Sequence, residues 1–241
     1  GTRRLAEAAV RAGVSRFVLV SSMAAAGPSV PGRRGTAEDP PRPVTAYGRS
    51  KLAGEKVLRE SGLAWTILRP PMVYGPRDVE VFKLFKVVRR GLAPVFGDGA
   101  QELSAIYADD LVDGLVAAAA APAAEGKTYC ACHPEIFTSL ELAHAVAQAL
   151  GRQVRVLRLS PAVARRVLGL TEAVARLTGR ATVLNRDKAN EFLAPAWTGD
   201  PGPLEREIGW RGRFDLEAGL ASAARGMDSG RRQSPTASGT A

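Results

Sequence analysis

A tyrosine and a lysine stand at positions 47 and 51, with a serine upstream at position 22. The apolar spacing of residues 46–60 predicts a helix that Gly62 ends, and residues four apart share one helix face. A free phenol has a pKa of about 10 and is a poor base at neutral pH, but a nearby ammonium stabilises the phenolate. A tyrosine paired in this way can exchange a proton with a substrate hydroxyl or carbonyl. The serine hydroxyl can orient the same oxygen, so these residues predict the proton transfer that accompanies hydride transfer.

Two apolar runs predict the strands that position these side chains. Residues 17–22 are apolar and end in the hydroxyls of Ser21 and Ser22, as expected of a buried parallel strand with its chemistry at the carboxyl end. Residues 65–69 form a second run, which enters a rigid turn at Pro70. A tyrosine and a lysine four apart are common on helix faces, so this strand context is what favours a catalytic role.

Five segments in this order resemble the extended short-chain dehydrogenase/reductase family, of the NAD-dependent epimerase/dehydratase type: VSSMAAAG, AYGRSKLAGE, ILRPPMVYGP, IYADDLVDGL and REIGW. Within that family the chain is most similar to the 3-beta-hydroxysteroid dehydrogenase/dihydroflavonol reductase-like branch. The resemblance implies that the catalytic residues are Ser22, Tyr47 and Lys51. It also implies contacts with the cofactor, NAD or NADP, from Ser21, Tyr47, Lys51, Pro70 and Val73. Of these, Lys51 would hold the nicotinamide ribose, and Pro70 and Val73 would contact the nicotinamide end.

The fold implied is α/β, the C-terminal part of a Rossmann-like doubly wound parallel sheet with a small α/β substrate lobe. We expect residues 1–136 to form an incomplete cofactor domain, with an excursion into the lobe over 79–104. Residues 137–226 are expected to form the lobe and 227–241 a disordered tail. The sequence begins inside a predicted helix, and no Gly-rich turn for a pyrophosphate follows an apolar strand. The chain is therefore expected to carry the chemistry with half of the cofactor site, and to be inactive alone.

The resemblance implies an NAD(P)-dependent oxidoreductase that transfers a hydride between nicotinamide and a secondary alcohol or ketone. In nucleotide-sugar members an arginine two places after a glutamine binds the diphosphate, whereas here Leu103 follows Gln101 at that spacing. An isobutyl group cannot replace a guanidinium, and residues 23–26 are expected to give the pocket an apolar wall, so a hydrophobic substrate is favoured. Two alternatives stay open: a nucleotide-sugar epimerase or dehydratase, and a non-catalytic cofactor-binding or assembly protein of the same fold.

The composition limits the partners that we expect. With 241 residues, 46% of them apolar, the chain can bury a sizeable core. No apolar run of about 18 residues occurs, so no membrane span is predicted. The net charge of +9 comes from scattered basic pairs without interleaved aromatic residues, which indicates solvated faces rather than nucleic-acid binding. The partner expected is a small-molecule substrate, and a homodimer is compatible with the resemblance.

The remaining polar motifs are interpreted as structural. Cys130 and Cys132 are too few for a metal site, none of which is predicted, and a disulfide between them would be strained. A reducing, cytoplasmic setting fits them. Asp109 and Asp110 are expected to begin the next helix and cap its free amides. His144 lies in an apolar helix and is expected to be packed or at the surface.

Two later helices are predicted. Thr138 and Glu141 form a capping-box pattern that opens one helix, which Gly151 closes. Residues 161–177 are apolar with interspersed arginines. They fit a membrane-surface helix or a substrate-lid helix buried against the lobe, and the second interpretation is favoured.

Overall fold

Helices and strands alternate along the chain, and the computed structural model describes residues 1–76, 78, 80–177 and 187–231. The helices are α1 (Thr2–Arg11), α2 (Met23–Ala26), α3 (Ala46–Arg59), α4 (Glu80–Val88), α5 (Ala108–Ala120), α6 (Ser139–Ala149), α7 (Pro161–Leu177), α8 (Lys188–Phe192), α9 (Gly202–Ile208) and α10 (Leu216–Arg231), with a short 3-10 helix at Pro122–Ala124. The strands are β1 (Phe17–Val20), β2 (Trp65–Arg69), β3 (Met72–Tyr74), β4 (Leu92–Phe96), β5 (Glu102–Leu103), β6 (Ala105–Tyr107), β7 (Lys127–Cys130), β8 (Phe137–Thr138), β9 (Arg155–Leu159) and β10 (Ala196–Trp197).

The sheet that positions the site has the strand order β1-β2-β7, and all its pairs are parallel. Its middle strand β2 is apolar on both faces, with Ile67 and Leu68 fully buried, because α3 and α5 both pack against it. An apolar cluster under the sheet includes Leu68, Tyr129 and, from the C-terminal region, Trp210. The predicted α/β class with a parallel sheet is confirmed.

Smaller strand pairs extend the architecture beyond this sheet. β3 pairs with β6 and β4 with β9, both in parallel, while β5 lies between β10 and β8. A second apolar cluster joins α4, α6 and α10 around Tyr74, Phe85 and Leu220. The capping box of Thr138 and Glu141 opens α6 as predicted. The division into a cofactor domain and a lobe stays a prediction.

Three sequence-based expectations need correction. In α1 the sequence predicts an apolar stripe of Leu5, Ala8, Ala9 and Ala12, but of these only Ala9 is buried, together with Ala6, because small residues let α1 approach α3. In α7 the apolar side chains of Val163 and Val167 are exposed, so they are not buried against the lobe. α10 continues to Arg231, so 227–231 belong to a helix rather than to the predicted tail. Residues 232–241 lie outside the described residues.

One buried carboxylate joins three elements of the main sheet. Glu55 of α3 is fully buried and accepts hydrogen bonds from Arg69 at the end of β2, Nε at 2.9 Å and Nη2 at 2.7 Å. Ser21, which follows β1, donates to the same carboxylate at 2.5 Å, and Arg59 donates from one helical turn later at 3.0 Å. This bidentate ion pair fixes α3 against the carboxyl ends of β1 and β2.

Close packing of α3 on α2 depends on a glycine. A Cβ atom at Gly48 would lie 2.2 Å from the carbonyl oxygen of Ala24, which is far inside van der Waals contact. We expect Gly48→Ala to lower the free energy of unfolding by about 1–3 kcal/mol, because α3 must move away from α2. Chemical denaturation followed by circular dichroism measures this change.

Gly54, in the same helix, is the matched control. Its added Cβ would meet only the Thr2 hydroxyl, at 2.9 Å, and that side chain can rotate away. Gly54→Ala should therefore leave stability unchanged or raise it by up to about 1 kcal/mol through helix propensity. Equal losses in both variants would contradict the proposed contact between Gly48 and Ala24.

Removal of the buried Glu55 carboxylate should lower the stability of the protein. We expect Glu55→Gln to lower the free energy of unfolding by about 3 kcal/mol or more, because Arg69 keeps a buried charge without its counter-ion. The double variant Glu55→Leu/Arg69→Met removes both charges and should be less destabilised than the single variant, again by chemical denaturation. A double variant that is worse than Glu55→Gln would contradict this account.

The same pair predicts how stability depends on pH. Burial raises the pKa of Glu55, but the hydrogen bonds from Arg69 and Ser21 outweigh it and hold the pKa below its ordinary value of 4.5. A lowered folded pKa means that this stabilisation is present above 4.5 and is lost as the pH falls through the folded value. Denaturation at a series of acidic pH values should show this loss in the wild type and a shallower one in Glu55→Gln.

Candidate active site

The predicted catalytic residues converge at the carboxyl edge of the β1–β2 pair. Lys51 Nζ donates a hydrogen bond to the carbonyl oxygen of Val20, the last residue of β1, at 3.0 Å. The same Nζ lies 5.7 Å from the centroid of the Tyr47 ring. The backbone N–H of Met23 donates to the carbonyl of Pro70, after β2, at 2.9 Å. Side chains from α3 and the two strand ends therefore share one region, as the parallel-sheet argument predicts.

Ser22 is held as the N-cap of α2. Its backbone is extended and its Oγ accepts the N–H of Ala24 at 3.1 Å. A hydroxyl that accepts this bond keeps its own hydrogen to donate elsewhere. Tyr47 is 51% exposed, and Ser22 and Lys51 are half-buried. All three side chains are therefore open to a ligand at the sheet edge.

The other residues predicted to bind the cofactor are less accessible. Ser21 is buried, and its hydroxyl is used in the bond to Glu55. Pro70 is buried after β2, and Val73 is half-buried in β3 against the apolar cluster beneath the sheet. The contacts of Ser21, Pro70 and Val73 with a cofactor stay predictions.

The start of α3 is held by residues that sequence reasoning missed. Thr45 caps the helix by accepting the N–H of Gly48 at 3.1 Å, and its hydroxyl donates to Glu191 of α8 at 3.1 Å. The N–H of Ala46 donates to Asp187, just before α8, at 2.5 Å. Two acidic residues about 140 positions away thus hold the backbone that carries Tyr47. A threonine before an apolar helix is a recognisable cap, but no local pattern identifies its distant partner.

The Pro-rich loop over 27–43 is tied to the same C-terminal region. The hydroxyls of Ser29 and Thr198 are hydrogen-bonded at 2.8 Å. Gly35 and Gly199 form an isolated parallel bridge. These contacts at Ser29 and Gly35 fix the first half of the loop to the C-terminal region.

One expectation about the substrate pocket needs correction. Met23, Ala24 and Ala25 are buried where α2 packs on α3, so these three pack the interior instead of lining an open wall. Ala26 alone of that segment is half-buried. Leu103 lies in β5 and packs partly buried against the apolar cluster of α4, α6 and α10. It supplies no cation for a diphosphate.

Asp110 lies in the first turn of α5, where it was expected to cap that helix. It is buried, and its Oδ2 instead accepts the N–H groups of Arg213 at 3.1 Å and Phe214 at 3.0 Å. His133 Nε2 accepts the N–H of Tyr107 at 2.9 Å and lies 3.8 Å from the same Oδ2. Burial lowers the pKa of His133 despite this carboxylate. These contacts make Asp110 a structural residue that ties α5 to the C-terminal segment.

The two cysteines are free and buried. Burial raises the pKa of the Cys130 thiol to about 11 and that of Cys132 further still. Both sulfurs contact backbone carbonyls, of Gly35 and Gly199 respectively. They therefore remain protonated near neutral pH and act as core residues rather than nucleophiles.

Across the part of the chain that the structure describes, no helix is both long and apolar enough to cross a membrane.

The chain is similar to several characterised proteins. It is 31% identical over 209 residues to a ceramide reductase of Caulobacter vibrioides, a match that covers 86% of this chain and 61% of that protein. It is 27% identical over 234 residues to the UDP-glucose 4-epimerase of Vibrio cholerae, covering 93% and 66% respectively. It is 32% identical over 176 residues to a 3 beta-hydroxysteroid dehydrogenase/Delta 5-->4-isomerase of Mycobacterium tuberculosis, covering 68% and 48%. The chain thus spans less than two thirds of the length of each of these relatives.

Solved structures show the same fold. MoeE5, solved in complex with UDP-glucuronic acid and NAD, superposes with a TM-score of 0.74 at 23% identity, over 95% of this chain and 70% of that one. The profile described as "NAD dependent epimerase/dehydratase family" matches residues 1–132. That match spans more than half of the chain and includes Ser22, Tyr47 and Lys51. The chain therefore belongs to the NAD-dependent epimerase/dehydratase family.

Proposed function

We propose that the protein is an NAD(P)-dependent reductase or dehydrogenase that transfers a hydride between nicotinamide and a hydrophobic secondary alcohol or ketone. The observation that carries the proposal is the hydrogen bond from Lys51 to the end of β1, beside the exposed ring of Tyr47. It aligns an ammonium and a phenol at the sheet edge where parallel α/β folds bind ligands.

The residues present fit the nicotinamide end of such a cofactor. Lys51 uses one of its three N–H groups on Val20, so two remain for the hydroxyls of a ribose. The Gly-rich turn that binds a pyrophosphate is absent from these 241 residues. When bound, the nicotinamide supplies or accepts the hydride at its C4 atom.

The roles of Tyr47, Lys51 and Ser22 are to transfer the proton and to bind the substrate oxygen. In the reducing direction the carbonyl carbon gains the hydride while its oxygen takes the proton of the Tyr47 hydroxyl, which gives an alcohol and a phenolate. The ammonium of Lys51 stabilises that phenolate. Ser22 donates its hydroxyl hydrogen to the same oxygen, because the bond that it accepts from Ala24 leaves this hydrogen free. Oxidation follows the same path in reverse.

The substrate class is argued from the surroundings of the site and from the relatives. Ala26, at the end of the short helix that Ser22 caps, and Pro71, which follows β2, are half-buried apolar residues, whereas Met72 packs against the cluster of α4, α6 and α10. An apolar wall favours a ligand that buries apolar area and offers no compensation for the desolvation of a diphosphate. The similar ceramide reductase and steroid dehydrogenase are, by their names, enzymes of hydrophobic substrates. A ketone or secondary alcohol on a lipid or steroid-like skeleton fits these observations.

A nucleotide-sugar epimerase or dehydratase is the second candidate. The similarity to a UDP-glucose 4-epimerase extends over 93% of the chain, and hydride abstraction from a sugar uses the same trio. Against it, Leu103 supplies no guanidinium at the position where nucleotide-sugar members of the family carry one.

We expect Tyr47→Phe to lower kcat by about a hundredfold or more, because the phenol oxygen carries the proton. Binding of NAD(P)H, followed by fluorescence, should be nearly unchanged. The assay uses the natural full-length gene product, since this chain covers 61% of the similar ceramide reductase. Tyr74→Phe, which removes a buried hydroxyl bonded to Asp215, is the control that should keep kcat. Near-normal turnover by Tyr47→Phe would exclude the catalytic role.

A substrate panel distinguishes the two candidate functions. The same protein is offered hydrophobic ketones and secondary alcohols, including steroids and long-chain lipids, alongside UDP- and dTDP-sugars. We expect NAD(P)H-dependent turnover with the hydrophobic compounds only, because Leu103 stands where a guanidinium would bind the diphosphate. Turnover confined to the sugars would replace the reductase assignment with the epimerase one.

A further inference from the structure

Helix α7 presents an apolar stripe to solvent. Val163, Val167 and Leu170 are 43%, 53% and 66% exposed, and their i, i+4, i+7 spacing places them on one side of the helix. Ala164 and Gly169 are buried, so α7 packs on the protein through its other side. A helix that packs through small residues and exposes its branched ones presents an unused apolar surface.

The strand pair before α7 also exposes apolar side chains. In the β4–β9 pair, Ala93 and Val95 are buried toward α6. The alternate positions face the other way, and Leu92 and Leu157 there are exposed. Arg155 is the pairing partner of Leu92 on that open face. Exposed Leu92 and Leu157 therefore share this open face with Arg155.

The charges from the end of α6 to the middle of α7 have one sign. No aspartate or glutamate occurs between Glu141 and Glu172, whereas five arginines do. All five are exposed: Arg152, Arg155, Arg158, Arg165 and Arg166. None of them forms a salt bridge within the described residues. This excess of positive charge accounts for more than half of the net +9 of the chain.

We propose that β9 and α7 form a surface that binds the headgroup region of a membrane containing anionic phospholipid. The stripe of Val163, Val167 and Leu170 enters the boundary between headgroups and acyl chains. Arg166, next to the stripe on the helix, contacts the lipid phosphates, and the other exposed arginines add to the attraction toward the anionic surface. This inference goes beyond the proposed function and does not depend on it. It assigns the protein to the membrane surface, not to a span across it.

Charge favours lipid over two other occupants. A second copy docked symmetrically on this face would bring its arginines against the same arginines of the first, which like-charge repulsion opposes. A nucleic acid would gain the phosphate contacts but no stacking, since the exposed apolar residues here are valine and leucine. An anionic bilayer offers phosphates to pair with the arginines and an apolar interior that buries the branched side chains.

The test is flotation of the full chain with phosphatidylcholine vesicles that contain phosphatidylglycerol, compared with vesicles of phosphatidylcholine alone. We expect binding to the anionic vesicles that weakens as salt rises. Val163→Ser/Val167→Ser/Leu170→Ser should reduce the partition coefficient by roughly tenfold or more. Arg155→Glu/Arg166→Glu should reduce it by roughly 25-fold, from about fivefold for each arginine.

Matched surface variants control for general effects of composition. Val112→Ser/Val116→Ser removes two exposed valines of α5, and Arg3→Glu/Arg4→Glu reverses two exposed arginines of α1. Both controls should keep the wild-type partition coefficient, and circular dichroism should show an unchanged fold in all four variants. Absence of binding to anionic vesicles, or binding that the α7 variants leave unchanged, would overturn the proposal. So would a self-association that the α7 variants abolish without any vesicle binding, because the face would then join two copies of the chain.

Discussion

The ion pair of Glu55 and Arg69 is the interaction on which the arrangement of the site depends. It joins the middle of α3 to the end of β2, and Ser21 brings the end of β1 to the same carboxylate. Desolvation offsets much of the attraction in a buried pair, so the net stabilisation is small although removal of one partner is costly. The role of the ion pair is to fix the position of α3 relative to β1 and β2. Lys51 lies one helical turn before Glu55, so its hydrogen bond to Val20 depends on this position of α3.

The sequence allowed most of the regular elements to be predicted. Apolar runs with β-branched residues gave β1 and β2, the capping box gave the start of α6, and the apolar 161–177 segment gave the bounds of α7. These predictions rest on signals within a few residues. The α7 prediction failed only in its orientation, because periodicity identifies an apolar side but not what covers it.

The sequence predicts the residues that would carry out the chemistry of the candidate site, but not the residues that hold them in position. Tyr47 and Lys51 could be recognised because a single helical turn sets their spacing. Glu55 and Arg69 occur in the sequence as an ordinary pair of charges, and only the fold buries them together. The same limit applies to Asp110, whose partners Arg213 and Phe214 are about a hundred residues away. An interaction between residues that are far apart in the sequence leaves no local pattern from which it could be predicted.

The hydrogen bonds between Thr45 and Glu191 and between Ala46 and Asp187 have a consequence for how this chain can diverge. The region that begins at α8 supplies two acceptors to the first turn of the helix that carries Tyr47. A C-terminal region exchanged with that of a relative would therefore need acidic residues at both positions to hold that turn. The two carboxylates of Asp187 and Glu191 therefore restrict recombination between the region that contains α3 and the region that begins at α8, even where the other residues of that interface can vary.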